Sequence, residues 1–197
     1  MQMFTLALET FEQFPLFKQK HLRILPSKKN VVQASIPSQT NAIDQTVWYF
    51  QRQVAKFCRI VQIPPVNISL CLREALANAI IHGNLEIPPK LKDECWEKFD
   101  ALIQEREAIP DFARRQVIIR CQMSSIQLKV EVEDEGPGFD TSQMQFPLRR
   151  NVVEFPGSDL ATISAGGRGL LIIASFMDQV CWNDQGNCIT MVKNLQV

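Results

Sequence analysis

The sequence predicts an α+β fold, a single-domain sandwich whose one mixed, mostly antiparallel sheet carries helices on one face. Three observations point there. Apolar residues at helical spacing and runs of strand type occur in separate blocks rather than in strict alternation. Two pairs of strand runs are joined by short polar turns of hairpin kind. The 197 residues suffice for one domain with a sizeable core, or for such a domain plus a short extension.

Residues 1–30 form the extension. Phe4, Leu6 and Leu8 alternate, and Phe11, Phe14 and Phe17 stand three apart. A strand running into a helical turn and an extension packed on a partner both fit, and the pattern does not choose between them. Domain 31–197 begins with a strand, Val31 to Ile36, ended by Pro37-Ser38. Ile43, Val47, Phe50, Val54 and Phe57 then mark a helix over about 41–59. After the break at Ile63-Pro64-Pro65, a second helix runs over about 67–82, with Gly83 as its stop signal. Its apolar residues, from Leu70 through Cys71, Leu72, Ala75, Leu76 and Ala79 to Ile81, cover nearly the whole circumference and predict burial.

A charged insertion, 85–116, follows, read as one amphipathic helix over about 91–107 and closed by Pro110. Strands at 117–123 and 126–133 meet across Ser124-Ser125. The loop Asp134-Glu135-Gly136-Pro137-Gly138-Phe139-Asp140 leads into a polar, irregular stretch at 141–165. Gly166-Gly167-Arg168-Gly169 opens a third core helix that ends near Met177. A final hairpin joins 179–182 to 188–195 across Asn183-Asp184-Gln185-Gly186-Asn187.

Composition excludes several classes. Hydrophobic residues make up 46% and charged residues 21%, an ordinary globular balance. Lys+Arg and Asp+Glu number 21 each, so no bulk charge recruits nucleic acid. No apolar run nears the roughly 18–20 residues that cross a bilayer, which leaves no membrane role. The N-terminus lacks the basic start and small-residue cleavage site of a signal peptide. Six cysteines without a C-x-x-C spacing, and two histidines, are poor material for zinc. The expected setting is the reducing cytoplasm.

Three pieces carry chemistry. Glu74 and Asn78 stand four apart on the second helix, and unpaired burial of such groups costs about 1–3 kcal/mol each. A hard cation with phosphate oxygens would satisfy them, though taken alone a hydrogen-bonded polar pair explains them better. Asp134 ends a strand ahead of Gly136 and Gly138, which permit a tight turn and close ligand approach. An acidic hairpin-like turn is the plain alternative. Gly166, Gly167, Arg168 and Gly169 open a helix, where free N–H groups and a cation suit phosphate. A flexible linker would look similar.

Taken together and in this order, the three pieces resemble the N, G1 and G2 boxes of the GHKL (Bergerat) ATP-binding fold, with 141–165 as its ATP lid. The likeness is nearest to the bacterial anti-sigma-factor serine kinases. It rests on Glu74-Ala75-x-x-Asn78-Ala79-x-x-His82-Gly83-Asn84, on Gly167-x-Gly169-Leu170, and on Phe176-Met177-Asp178-x-Val180. It covers about 31–197, less 85–116.

The resemblance implies ATP with Mg2+ as cofactors. Asn78 would coordinate the cation, Asp134 would receive the adenine amino group, and Gly136 and Gly138 would shape the pocket. His82 joins this binding set, and Gly166, Gly167, Arg168 and Gly169 would line the phosphates. Glu74 would be the general base on a protein serine hydroxyl. The implied partners are an antagonist domain of anti-anti-sigma type and a sigma factor. Surplus apolar surface in 1–30 and 91–107 adds a homodimer or partner contact.

Three departures stand out. The insertion is longer than in the compact kinases. Ser164-Ala165 replaces a charged pair. Asn187-Cys188 stands where a Gly-Thr-Thr run is usual, and Cys188 is a poor substitute for a hydroxyl. Alternative functions are a non-catalytic nucleotide-gated interaction module and a histidine-kinase-type ATPase domain. The latter is weakened because no dimerising helix pair with a phospho-acceptor histidine precedes the ATP core.

Overall fold

The computed structural model describes residues 21–27, 30–60, 64–141, 148–149 and 168–194. Its strands are β1 (Arg23–Leu25), β2 (Val31–Pro37), β3 (Gln116–Met123), β4 (Gln127–Glu133), β5 (Leu148–Arg149), β6 (Gln179–Trp182) and β7 (Cys188–Asn194). Its helices are α1 (Ala42–Ile60), α2 (Pro65–Ala77), α3 (Lys90–Glu94), α4 (Trp96–Ala108), α5 (Pro110–Ala113) and α6 (Arg168–Phe176). A π-helical turn, Asn78–Asn84, continues α2.

The strands form one sheet in the order β1-β2-β3-β4-β7-β6-β5. Every described pairing is antiparallel, so the mixed sheet expected above is corrected. The connection between β2 and β3 shows why. The chain leaves at Pro37, passes through the neighbouring helices α1 and α2, and re-enters at Gln116, the residue paired with Pro37. A helix pair that returns the chain to the end it left forces the next strand to run the other way.

Period-2 alternation buries one face. Val32, Ala34 and Ile36 of β2, Val117, Ile119 and Cys121 of β3, and Leu128, Val130 and Val132 of β4 all point into the core. Ile43, Val47, Phe50 and Val54 of α1 meet them, and α2 packs between α1 and α6. Burial of α2 is less complete than predicted: Cys71, Leu72, Ala75 and Leu76 are buried, but Leu70 is 38% exposed. As the first layer of helix on the sheet, α2 keeps one outer face wet.

The insertion also differs from its expectation. One helix over 91–107 becomes two, because Cys95 adopts an extended conformation (φ −160°, ψ 109°). On either side of the break, Leu91 and Phe99 both pack on the core. Pro110 closes α4 by holding Ile109 extended, then opens α5 as its first residue. The expected extension contributes an edge strand: β1 pairs with β2 through Arg23↔Ser35 and Leu25↔Gln33. Residues 1–20, and 142–147 and 150–165 of the expected lid, lie outside the described residues.

Candidate active site

The site forms where α2 widens. Gly83 does not stop the helix in the left-handed conformation, as predicted. The wider turn runs through it, with Leu85 N–H donating to the Ile80 carbonyl at 2.8 Å and Ile87 N–H to that of Ile81 at 3.0 Å. Glu86, at φ +53°, makes the reversal instead. Widened turns of this kind gather at functional positions. Here the widening drives Asn84 into full burial. Its amide donates to Ser38 Oγ (2.8 Å) and the Gln116 carbonyl (3.1 Å), and its Oδ1 accepts from Glu135 N–H (2.7 Å). One side chain thus ties the helix end to β2, β3 and the loop after β4.

That loop presents Asp134. Its carboxyl is nearly buried and pushed up to about 6, mainly by desolvation; the Gly136 N–H and the nearby Arg115 charge oppose this. Oδ1 accepts the Gly136 N–H at 2.9 Å, and the carboxyl, which lines the pocket, keeps further acceptor capacity. A methyl group on Gly83 would collide with this carboxyl group, and one on Gly136 would strike the Gly83 carbonyl. Glycine at both positions lets the carboxyl press against the helix end. Gly138 (φ +74°) and Gly186 (φ +79°) interlock their turns, for side chains there would strike the Gln185 carbonyl and the Phe139 backbone respectively.

The opposite end of the site holds Glu74 and Asn78, one helical turn apart. The hydrogen-bonded pair that was the plain alternative is not formed: among the described residues neither side chain is engaged by a hydrogen bond. Gly169, in the first turn of α6, faces Glu74, and a Cβ there would stand 2.6 Å from its Oε2. Arg168 begins α6. Gly166 and Gly167 lie outside the described residues.

Between the two ends lies a cavity of about 460 Å³. Asn78, His82, Asp134 and Gly138 line it, whereas Glu74 stands beyond its lining and Gly136 supports it from behind. A family model, the histidine kinase-like ATPase domain, matches residues 39–193. The chain belongs to that family. A comparison with curated proteins found no match.

A histidine kinase-like ATPase domain binds ATP, and the chemistry of this pocket suits it. A buried carboxylate with a spare acceptor matches an exocyclic amine. His82 is half-committed: its Nδ1–H donates to the Ile87 carbonyl at 2.6 Å, and burial lowers its pKa. With Nδ1–H so engaged, Nε2 of the neutral ring is an acceptor, able to take a hydroxyl or amine proton but not to donate to phosphate. No group of three or more His, Cys, Asp or Glu side chains among the described residues forms a metal cage. A cation would draw on the Asn78 amide oxygen and on phosphate and water oxygens, a mode suited to magnesium.

Sequence reasoning missed part of the pocket wall. Glu86, Ile87, Pro88 and Pro89 line one side, and Phe139 and Trp182 the other, their rings edge-to-face at 5.9 Å. Pro88-Pro89 directly after the helix was the available signal, since two rigid residues there hold a wall without backbone donors. Arg115 braces it, donating to the Asn84 carbonyl and the Glu86 carboxylate, each at 2.7 Å. Asn187 keeps contact with Asp134 despite the departure noted above, but through the backbone. Cys188 beside it has its thiol pushed up to about 11, chiefly by burial.

Proposed function

We propose that this chain is an ATP-dependent protein serine kinase of the anti-sigma type. It would use Mg-ATP to phosphorylate a serine of an antagonist domain, with a sigma factor as the alternative partner and a homodimer as its working form. One observation carries the reading: Glu74 lies one turn from Asn78 on α2 and faces the glycine that opens α6. A carboxylate there is placed to act on a hydroxyl brought to the phosphate end, while Asp134 holds the base at the other.

The chain's own residues then divide the work. Asp134 accepts the adenine amine, and the Gly83–Gly136 contact fixes its depth. Asn78 supplies an oxygen at the phosphate end, where Mg2+ would neutralise charge, and the α6 N-terminus adds N–H donors. Glu74 takes the seryl proton as the seryl oxygen bonds the γ-phosphorus and the bond to ADP breaks. General-base catalysis of this kind contributes roughly 10²–10⁴-fold. A cytoplasmic setting agrees with six free cysteines, and no described helix is long and apolar enough to cross a membrane.

A nucleotide-gated binding module is the second reading. It is favoured by the insertion, whose first residues line the pocket and could report occupancy to a partner. Single-turnover transfer from labelled ATP to an antagonist-type domain separates the two. In the kinase, Glu74→Gln keeps Mg-ATP affinity within about threefold while transfer falls by roughly 10²–10⁴. Equal nucleotide binding with no transfer by the parent protein leaves the module standing.

A further inference from the structure

The turn between β6 and β7 is built more tightly than a hairpin requires. Asn183 Oδ1 accepts three backbone N–H groups, from Gly186 (2.9 Å), Asn187 (3.1 Å) and Cys188 (3.1 Å). Its amide nitrogen donates to Asn187 Oδ1 at 2.8 Å. That bond fixes which way the Asn187 amide points. Asn187 Nδ2 then donates to the Asp134 carbonyl at 2.8 Å, while Asp134 N–H donates to the Asn187 carbonyl at 2.9 Å. On the far side of the same peptide, Asn84 Oδ1 holds Glu135 N–H. The backbone carrying the base-reading carboxyl is therefore gripped from both flanks, and one grip runs in series through two asparagine amides.

We propose that Asn187, oriented by Asn183, is a positioning residue that sets the aim of Asp134 at the nucleobase and thereby the selectivity for adenine. The inference rests on the reading that Asp134 takes the adenine amine. A carboxylate on a freely turning strand end would accept a hydrogen bond from many directions and discriminate poorly. Held at both peptide bonds, pressed on Gly83 and with Oδ1 tied to the Gly136 N–H, the carboxyl has little freedom to turn. Specificity from a hydrogen bond depends on such fixed geometry, because a misaligned bond loses most of its strength.

The test compares ATP with purine riboside triphosphate, which lacks the exocyclic amine, following tryptophan fluorescence of the chain, in which Trp182 lines the pocket. The parent prefers ATP by about tenfold or more, the usual worth of a hydrogen bond to a charged group. Asn187→Ala cuts the second amide of the relay. Asn183→Asp keeps the oxygen that accepts the three N–H groups, and so the turn, but removes the amide that orients Asn187. Both variants are expected to bring the preference down to about threefold or less, and the double variant adds little more, as for two steps in series. Thermal melting is followed alongside, since a merely structural role lowers stability but moves both nucleotides together. A full preference in both single variants overturns the proposal. A parent with no preference fails at Asp134 itself, which is a separate result.

Discussion

Asp134 shows how much one buried carboxyl decides. Its pKa of about 6, against an ordinary 3.8, means the native state keeps a proton that the unfolded chain has lost between those values. Native protons exceed unfolded ones there, so the apo protein loses stability as pH rises through about 4 to 6. A shift of about two units corresponds to roughly 3 kcal/mol carried at neutral pH. Asp134→Asn is thus expected to stabilise the apo protein by about 1–3 kcal/mol at pH 7.5, and not at pH 4. Urea denaturation at both values checks this, and equal stabilities of parent and variant at pH 7.5 would contradict it. Nucleotide binding has the opposite sign. If Asp134 takes the adenine amine as proposed, the amine donates to the ionised form and ATP affinity is expected to fall as pH drops below about 6, while the analogue lacking the amine serves as the control for phosphate titration. Asp134 could be found in the sequence because it stands before two glycines. Its raised pKa could not, because desolvation comes from the packing of Gly83 against it.

At the scale of elements, the insertion is more than a separate appendage. Glu107 on α4 accepts both the N–H (2.7 Å) and the hydroxyl (2.8 Å) of Thr40, two residues ahead of α1. A carboxylate near a helix N-terminus satisfies an orphan donor and opposes the helix dipole. Glu107→Ala is expected to cost about 1–2 kcal/mol by denaturant titration, the range for a lost cap. ATP affinity is expected to stay within about twofold, because Glu107 lies outside the pocket lining. A large loss of affinity with unchanged stability would show that the insertion governs the site directly. The helices themselves were legible as periodic apolar stripes. The break at Cys95 was not, because nothing local forbids a helix there.

For the whole molecule, β1 matters because it closes one edge of the sheet. Removing residues 1–25 deletes it and leaves β2, with Val31–Pro37, as an open edge able to pair with other chains. A truncation after residue 20 is expected to keep ATP-dependent thermal stabilisation. One after residue 25 is expected to lower the melting temperature by about 5 °C or more and to promote concentration-dependent association. Light scattering and melting curves compare the two. If they behave alike, β1 contributes nothing to the edge.

Local chemistry in the sequence determined the α+β class, the strand positions and the candidate residues, because helical and strand periodicity and glycine-rich turns are written within a few residues of one another. Glu74, Asn78, Asp134 and Gly169 were recognisable for the same reason. Only the tertiary structure decided that every described strand pairing is antiparallel and that Gly83 makes room for a carboxyl rather than ending a helix. It alone assigned Pro88-Pro89 and Trp182 to the pocket and joined Asn187 to Asp134. Each of these relations links residues far apart in the chain, 53 positions for Asn187 and Asp134. Such contacts are set by the shared packing of several elements, which no single stretch of sequence contains.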